Sequence, residues 1–257
     1  MDAQILVKSE HVRKQEFNPM ETMIVTGAGS GIGLGLTLKL LAENYRVSAW
    51  DVAPGDLAGV NDDNLVFHQL DVRDADALAE AAAEAAGWGD RIAGLSTCAA
   101  IYRTAPFLEI AEDDWDDHLN INLKGTLLAC QAVLPAMLEQ GSGRIVMFSS
   151  LIARRGAMNS AAYAATKGGV LGLCRALALD HARDGIRANV VSPGIADTEM
   201  PRRVMAEADL FAKGDDIPLG RIGMPEDMVE AASFLLSDDA SFVTGQDIRV
   251  NGGAGLF

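Results

Sequence analysis

The chain has 257 residues, 49% of them apolar, and carries 36 acidic against 21 basic side chains for a formal charge of −15 at pH 7. Such acidity argues against a nucleic-acid backbone or an anionic membrane surface as a partner, while the length and apolar content allow one domain with a large core. Cys98, Cys130 and Cys174 are scattered and His11, His68, His118 and His181 lack ligand spacing, so neither a disulfide framework nor a metal site is expected, and the histidines read as surface or edge residues.

In chain order, residues 1–20 form a polar lead segment. Lys8, Glu10, Arg13, Lys14 and Glu16 interrupt it, which is not the pattern of a secretory signal. No run approaches the ~20 apolar residues of a membrane span. A reducing, cytoplasmic setting is expected. From there residues 21–257 alternate short apolar runs with longer helical patterns. Met23–Thr26 reads as a strand, Ile32–Glu43 as a helix, Arg46–Trp50 and Leu65–Leu70 as strands, and Ala75–Ala86 as a helix. Ile92–Thr97 is a fourth strand. Asp113–Glu139 is a long helix, expected to break or bend near Pro135. Arg144–Phe148 and Arg187–Val191 are strands on either side of a helix over Ala161–Arg183. Pro225–Leu236 is a helix with proline in its first turn, and Asp247–Val250 is the last strand. Strands alternating with helices imply an α/β fold with a parallel sheet covered on both faces.

A glycine-rich turn, Gly27-Ala28-Gly29-Ser30-Gly31-Ile32-Gly33, lies between the first strand and the first helix. Glycines there let the backbone approach a pyrophosphate, and the helix N-terminus offers free N–H groups to it. Asp51 ends the second strand and is placed to accept the ribose hydroxyls of an adenosine while repelling a 2′-phosphate. With no Lys or Arg in the glycine turn or just after Asp51, the expected cofactor is NAD(H), not NADP(H).

Tyr163 and Lys167 are four residues apart in an alanine-rich helical stretch, hence on one face. A free phenol titrates near pH ~10, and a neighbouring ammonium moves it toward the working range of an acid–base catalyst. Ser150, thirteen residues before Tyr163, is placed to hold an alcohol or carbonyl oxygen. Its neighbour Ser149 competes for that role but points to the opposite face of an extended segment.

These residues, with Asp71-Val72, Asn122, Pro193-Gly194 and Thr198 between and after them, resemble the classical short-chain dehydrogenases/reductases over nearly all of residues 22–253. The stretches Pro218–Asp227, Thr244-Gly245 and Asn251–Gly253 are similar to that family's C-terminal third. The resemblance implies a Rossmann-type doubly wound sheet of seven parallel strands in the order 3-2-1-4-5-6-7, with three helices on each face. It implies Tyr163 as general acid/base, Ser150 orienting the substrate oxygen, Lys167 lowering the Tyr163 pKa and binding the nicotinamide ribose, and Asn122 bending the long helix and holding a water. Gly27, Ser30, Gly31, Ile32 and Gly33 would cradle the cofactor phosphates. Asp71 and Val72 would flank the adenine, Ala99 would lie along the cofactor, and Pro193, Gly194, Ile195 and Thr198 would fix the carboxamide. Taken without the family, Asp71 is an equally good N-cap for the Ala75 helix, and Thr198 for a helix starting near Glu199.

One departure stands out. Thr97-Cys98-Ala99-Ala100 replaces the Asn-Asn-Ala-Gly usual after the fourth strand, which predicts weaker or slightly displaced cofactor binding. Substrate selectivity is expected from Ile152–Asn159, with Ile152 and Arg155 beside Ser150 and Tyr163, from residues after Ala100, and from a lid at about 198–220. Arg103, Arg154 and Arg155 are candidates for the cleft mouth, where they would attract an anionic substrate, or for subunit salt bridges. The long helices would pair between subunits of a homotetramer. The expected activity is interconversion of a secondary alcohol and a ketone. The alternatives are a 3-oxoacyl-thioester reductase or a catalytically silent dinucleotide-binding regulator.

Overall fold

The computed structural model describes residues 21–89 and 91–255; the lead segment 1–20 lies outside them. Seven parallel strands pair in the order β3-β2-β1-β4-β5-β6-β7. They are β1 (Glu21–Thr26), β2 (Arg46–Asp51), β3 (Leu65–Gln69), β4 (Arg91–Thr97), β5 (Gly143–Phe148), β6 (Ile186–Pro193) and β7 (Asp247–Val250). The central β1 and β5 are buried at every position, as expected of strands covered on both faces. The chain order reverses between β1 and β4. Thr26 is in register with both Trp50 of β2 and Thr97 of β4, so three strand ends meet at one level. A crevice at such a reversal, outside the carboxyl ends of the strands, is where open α/β sheets bind ligands.

One face of the sheet is covered by α2 (Ala75–Trp88), α4 (Gly125–Gln140) and α6 (Ala161–His181), whose Leu78, Val133, Met137, Val170 and Leu177 pack into a common core. Among the described residues, the other face carries only α1 (Gly31–Ala42) and α9 (Pro225–Leu236) as long helices. The third position expected there, between β2 and β3, is a 3₁₀ turn over Gly55–Gly59 with Leu57 as its buried anchor. The segment holds Pro54, Gly55 and Gly59, poor material for a longer helix.

Asp113–Glu139 is not broken at Pro135, which α4 contains without interruption. The irregularity lies earlier. Helix α3 (Glu112–His118) passes into a π-helical turn over Leu119–Lys124 before α4 begins. The cause is Asn122, whose side chain is fully buried and bonded outside the helix, so the ladder widens by one residue to release it. By length and hydropathy alone, Glu112–Gln140 is long and apolar enough to cross a bilayer. In the fold its Ala129, Cys130, Val133 and Met137 are buried against the sheet.

The short α5 (Ile152–Arg155) follows β5, and the 198–220 segment forms α7 (Glu199–Arg202), α8 (Glu207–Ala212) and a 3₁₀ turn at Lys213–Asp216. Leu210, Ile217 and Ile222 give that segment a small core of its own.

Candidate active site

The glycine turn is held at backbone distances. A Cβ on Gly33 would stand 2.0 Å from the Gly27 carbonyl oxygen, one on Gly27 2.6 Å from the Ala99 nitrogen, and one on Gly29 2.6 Å from the Ala53 oxygen. Gly31, at φ +54°, is different: a Cβ there would reach only the Thr198 side chain, at 3.6 Å. Thr198 therefore overhangs the turn, and its hydroxyl makes no cap for α7. Ser30 precedes α1 without a side-chain cap, which leaves the N–H groups of Gly31, Ile32 and Gly33 facing the crevice. This cradle fits a pyrophosphate. Asp51 lies behind it, accepting from the Gly29 N–H at 2.9 Å. The shortened β2–β3 connection closes over the same turn, with Asp56 donating its N–H to the Gly29 carbonyl at 3.1 Å.

Asp71 does not cap α2; Asp74 does, accepting from the N–H groups of Asp76 and Ala77 at 3.1 Å each. The Arg73 guanidinium grips Asp71 instead and holds its carboxyl below the usual range. Val72 is buried against Gly125 of α4. Pro193 and Gly194 join neighbouring segments through their backbones, Pro193 accepting from Leu151 and Gly194 donating to Val250, both at 2.9 Å, and the Ile195 carbonyl accepts from Gly223 at 2.9 Å.

Ser150, Tyr163 and Lys167 meet in the crevice. Ser149 is spent elsewhere, donating to the Lys167 carbonyl at 2.7 Å and tying β5 to α6. Ser150 accepts from the Ile152 N–H at 3.2 Å, and its hydroxyl lies where it favours the ionised form of Tyr163. The Lys167 ammonium donates to the Phe148 carbonyl at 2.8 Å and lies 5.7 Å from the centre of the Tyr163 ring. An ammonium has three donors, so two remain for a ribose and a solvent molecule. The expected effect of Lys167 on Tyr163 is not what governs the chain by itself. Burial pushes the Tyr163 phenol up to about 12, with the Ser150 hydroxyl acting against it. Burial also pulls Lys167 down to about 8. Desolvation outweighs the mutual influence of the pair.

Asn122 uses its whole side chain. Its Oδ1 accepts from the Ile101 N–H at 2.8 Å, and its Nδ2 donates to the Ile101 carbonyl at 2.9 Å and to Thr166 Oγ1 at 3.3 Å. His118, read above as a surface or edge residue, is wholly buried. Its Nε2 accepts from the Arg103 N–H at 3.2 Å and its Nδ1 contacts the Asp114 carbonyl at 2.7 Å. Between Ile101 and Arg103, Tyr102 lays its ring 4.7 Å from that of Tyr163, tilted by 57°. Sequence reading missed His118 and, while placing selectivity in the residues after Ala100, did not single out Tyr102. A signal existed for the first: His118, Asn122 and Thr126 are polar residues recurring every four positions along a helix.

The altered Thr97–Ala100 segment keeps its strand ties through the backbone, Cys98 donating to the Thr26 carbonyl and Ala99 to Thr26 Oγ1, both at 3.2 Å. The Cys98 thiol is raised to about 12 by burial, which makes it a packing group and not a nucleophile. The arginine cluster does not form. Arg103 pairs with Asp114 and Asp117, and Arg154 with Asp247 on β7. Arg155 stays exposed at the end of α5, after Ile152.

Residues 27–255 match the family model described as "Enoyl-(Acyl carrier protein) reductase". The chain is 37% identical to a 3-oxoacyl-(acyl-carrier-protein) reductase of Thermotoga maritima, over 90% of this chain and 96% of the other. It is 34% identical to the human (3R)-3-hydroxyacyl-CoA dehydrogenase, over 90% and 94%. Among solved structures, levodione reductase superposes with a TM-score of 0.87 at 30% identity, over 92% of this chain and 98% of that one. An NAD(P)-dependent gluconate 5-dehydrogenase from Beutenbergia cavernae, described as putative and carrying NADP at low occupancy, superposes with a TM-score of 0.83 at 36% identity, over 91% and 96%.

Proposed function

This chain belongs to the classical short-chain dehydrogenase/reductase family and is an NAD(P)-dependent oxidoreductase of CH–OH groups, and from that premise we propose that NAD(H) is its cofactor and Tyr163 its general acid/base. The observation that carries the reading is the meeting of Ser150, Tyr163 and Lys167 in one buried cleft beside the Gly27–Gly33 turn. The nicotinamide supplies the hydride acceptor or donor. Ser150 holds the substrate oxygen, Tyr163 takes the alcohol proton on oxidation and returns it on reduction, and Lys167 binds the ribose with its spare donors. Asn122 is a positioning residue: it braces Ile101 and leaves the π turn in place. Asp51, fixed on the Gly29 N–H, supports NAD(H), because a 2′-phosphate would enter beside its charge. A 3-oxoacyl-thioester reductase would use the same residues, and the relatives from Thermotoga and human carry names of that kind.

The assembly we infer is a homotetramer, supported by exposed Leu127 and Leu138 on α4 and Leu179 on α6. Cytoplasmic location is supported by three free cysteines among the described residues. The direct test is Tyr163→Phe, assayed with a panel of ketones at saturating NADH or NADPH and with the matching alcohols at saturating NAD⁺ or NADP⁺. Turnover is expected to fall by about 10³-fold or more, with NADH binding retained and the unaltered enzyme preferring NADH. Survival of activity in Tyr163→Phe refutes the acid/base role, and a preference for NADPH refutes the reading of Asp51.

A further inference from the structure

Tyr102 has no part in the scheme above, yet its ring is packed against the ring of Tyr163. The short segment that carries it is pinned on both sides. Ile101 is gripped at its N–H and its carbonyl by the buried Asn122 amide, and Arg103 at its N–H by the buried His118. The Arg103 guanidinium adds ion pairs to Asp114 and Asp117 on the same helix. The Tyr102 hydroxyl is pinned as well, 2.9 Å from Ser160 Oγ, which itself donates to the Met158 carbonyl at 2.9 Å. Nearby, the Ala105 N–H donates to the carbonyl of Asn159, a residue held at φ +57°. Two loops beside Tyr163, around 101–105 and 158–160, are thus joined by a hydrogen-bonded seam, with the Tyr102 ring against that of Tyr163.

We propose that Tyr102 is a specificity-determining residue: its ring is a fixed, apolar wall that limits the size of one substituent of the substrate carbonyl. Because the hydroxyl is engaged by Ser160, the wall offers substrate a ring and no free polar group. Because Ile101 and Arg103 are both anchored to the distorted helix, it is unable to swing aside for a larger substituent. Tyr163 and Ser150 are each only 8% exposed, so the pair is packed in protein and the Tyr102 ring is among the groups that face it. The larger arm of the substrate leaves by another side of the cleft. The preferred class is then a secondary alcohol or ketone with one small flank. This rests on the proposed acid/base role of Tyr163.

The experiment compares kcat/KM for ketones that share one arm and carry methyl, ethyl or propyl as the other, in the unaltered enzyme and in Tyr102→Ala, Tyr102→Phe and Tyr102→Trp. Circular dichroism and NADH affinity are measured on each variant. The unaltered enzyme is expected to favour methyl over propyl by at least about tenfold, the scale of a methylene or two misfitted in a pocket. Tyr102→Ala should shrink that ratio at least about tenfold, Tyr102→Phe should keep it, and Tyr102→Trp should extend the rejection to ethyl. Should Tyr102→Ala fail to fold, the opposite shift in Tyr102→Trp carries the test. A ratio that stays within about twofold across the folded variants, while all remain active, overturns the inference and leaves the role of Tyr163 standing. No turnover of any ketone or alcohol by the unaltered enzyme overturns both.

Discussion

The two halves of the crevice are built from different materials. At the adenosine end, around Gly27–Gly33 and Asp51, the fit is between backbones: glycines pass within touching distance of the carbonyls and nitrogens of Ala53, Ala99 and of one another. At the carbonyl end, around Tyr163, the fit is between side chains, with Asn122, His118, Tyr102 and Ser160 bonded to loops they hold in place. A backbone contact has no adjustable part, whereas a side-chain contact can be resized one residue at a time. The adenosine end is therefore the half that has no room for an added atom at Gly27, Gly29 or Gly33, and the carbonyl end is the half whose fit single side chains can reset.

The harshest way to break the comparison is to add one carbon to the backbone-built half. Gly33→Ala drives a Cβ to 2.0 Å from the Gly27 oxygen, and neither atom belongs to a side chain that can turn away. The turn must shift, and NADH affinity is expected to fall by about a hundredfold or to vanish. Gly59→Ala, in the 3₁₀ turn that covers the same region, meets nothing within 4 Å and serves as the control, with affinity close to that of the unaltered protein. Equal effects of the two changes, measured by titration of NADH fluorescence, would remove the distinction drawn above.

A gentler probe sharpens the other half. The phenol of Tyr163 is raised to about 12 and the ammonium of Lys167 lowered to about 8, both by burial. Below its pKa the phenolate fraction rises about tenfold for each pH unit. Alcohol oxidation, which needs the phenolate, should climb in kcat/KM from pH 6 and bend near pH 8, where Lys167 gives up its proton and stops favouring the neighbouring anion. Ketone reduction, which needs the phenol, should stay level from pH 6 to about 9. A flat oxidation profile over that range would mean that the phenol is already ionised and that burial does not control it.

The same division explains what was legible in the sequence. The glycine turn, Asp51 and the Tyr163–Lys167 spacing are local patterns, written at fixed offsets along the chain, and the sheet order followed from the family they resemble. Tyr102 sits in no pattern; its importance comes from Tyr163, sixty-one positions later. Proline is a local signal, and the residues alone place the bend of the long helix near Pro135; the family resemblance places it at Asn122, whose tertiary bond to Ile101 is the cause. The two Arg103 partners were equally invisible, since Asp114 and Asp117 belong to another element. Long-range side-chain bonds are what sequence periodicity does not encode.

The smallest expected effect lies at the N-terminus of α9, outside both halves. Pro225 occupies the first turn, and Asp227 at the third position reaches back to accept from the Met224 N–H at 2.7 Å while receiving the Arg221 guanidinium at 2.7 and 2.8 Å. Those partners lower its carboxyl to about 2. A carboxyl depressed below its unfolded value adds stability above that value, and the addition is lost as pH falls from about 4 toward 2. The pair is largely solvent-facing, so the cap matters more than the charge. Asp227→Ala should cost about 1 kcal/mol of stability at neutral pH, read as a shift in urea midpoint, and nothing below about pH 2. Because α9 packs on α1, directly behind the glycine turn, the comparison also predicts which function stays fixed. Loosening this cap leaves the ketone-size ratio set by Tyr102 unchanged, since the carbonyl end is held from α3 and the π turn and not from α9.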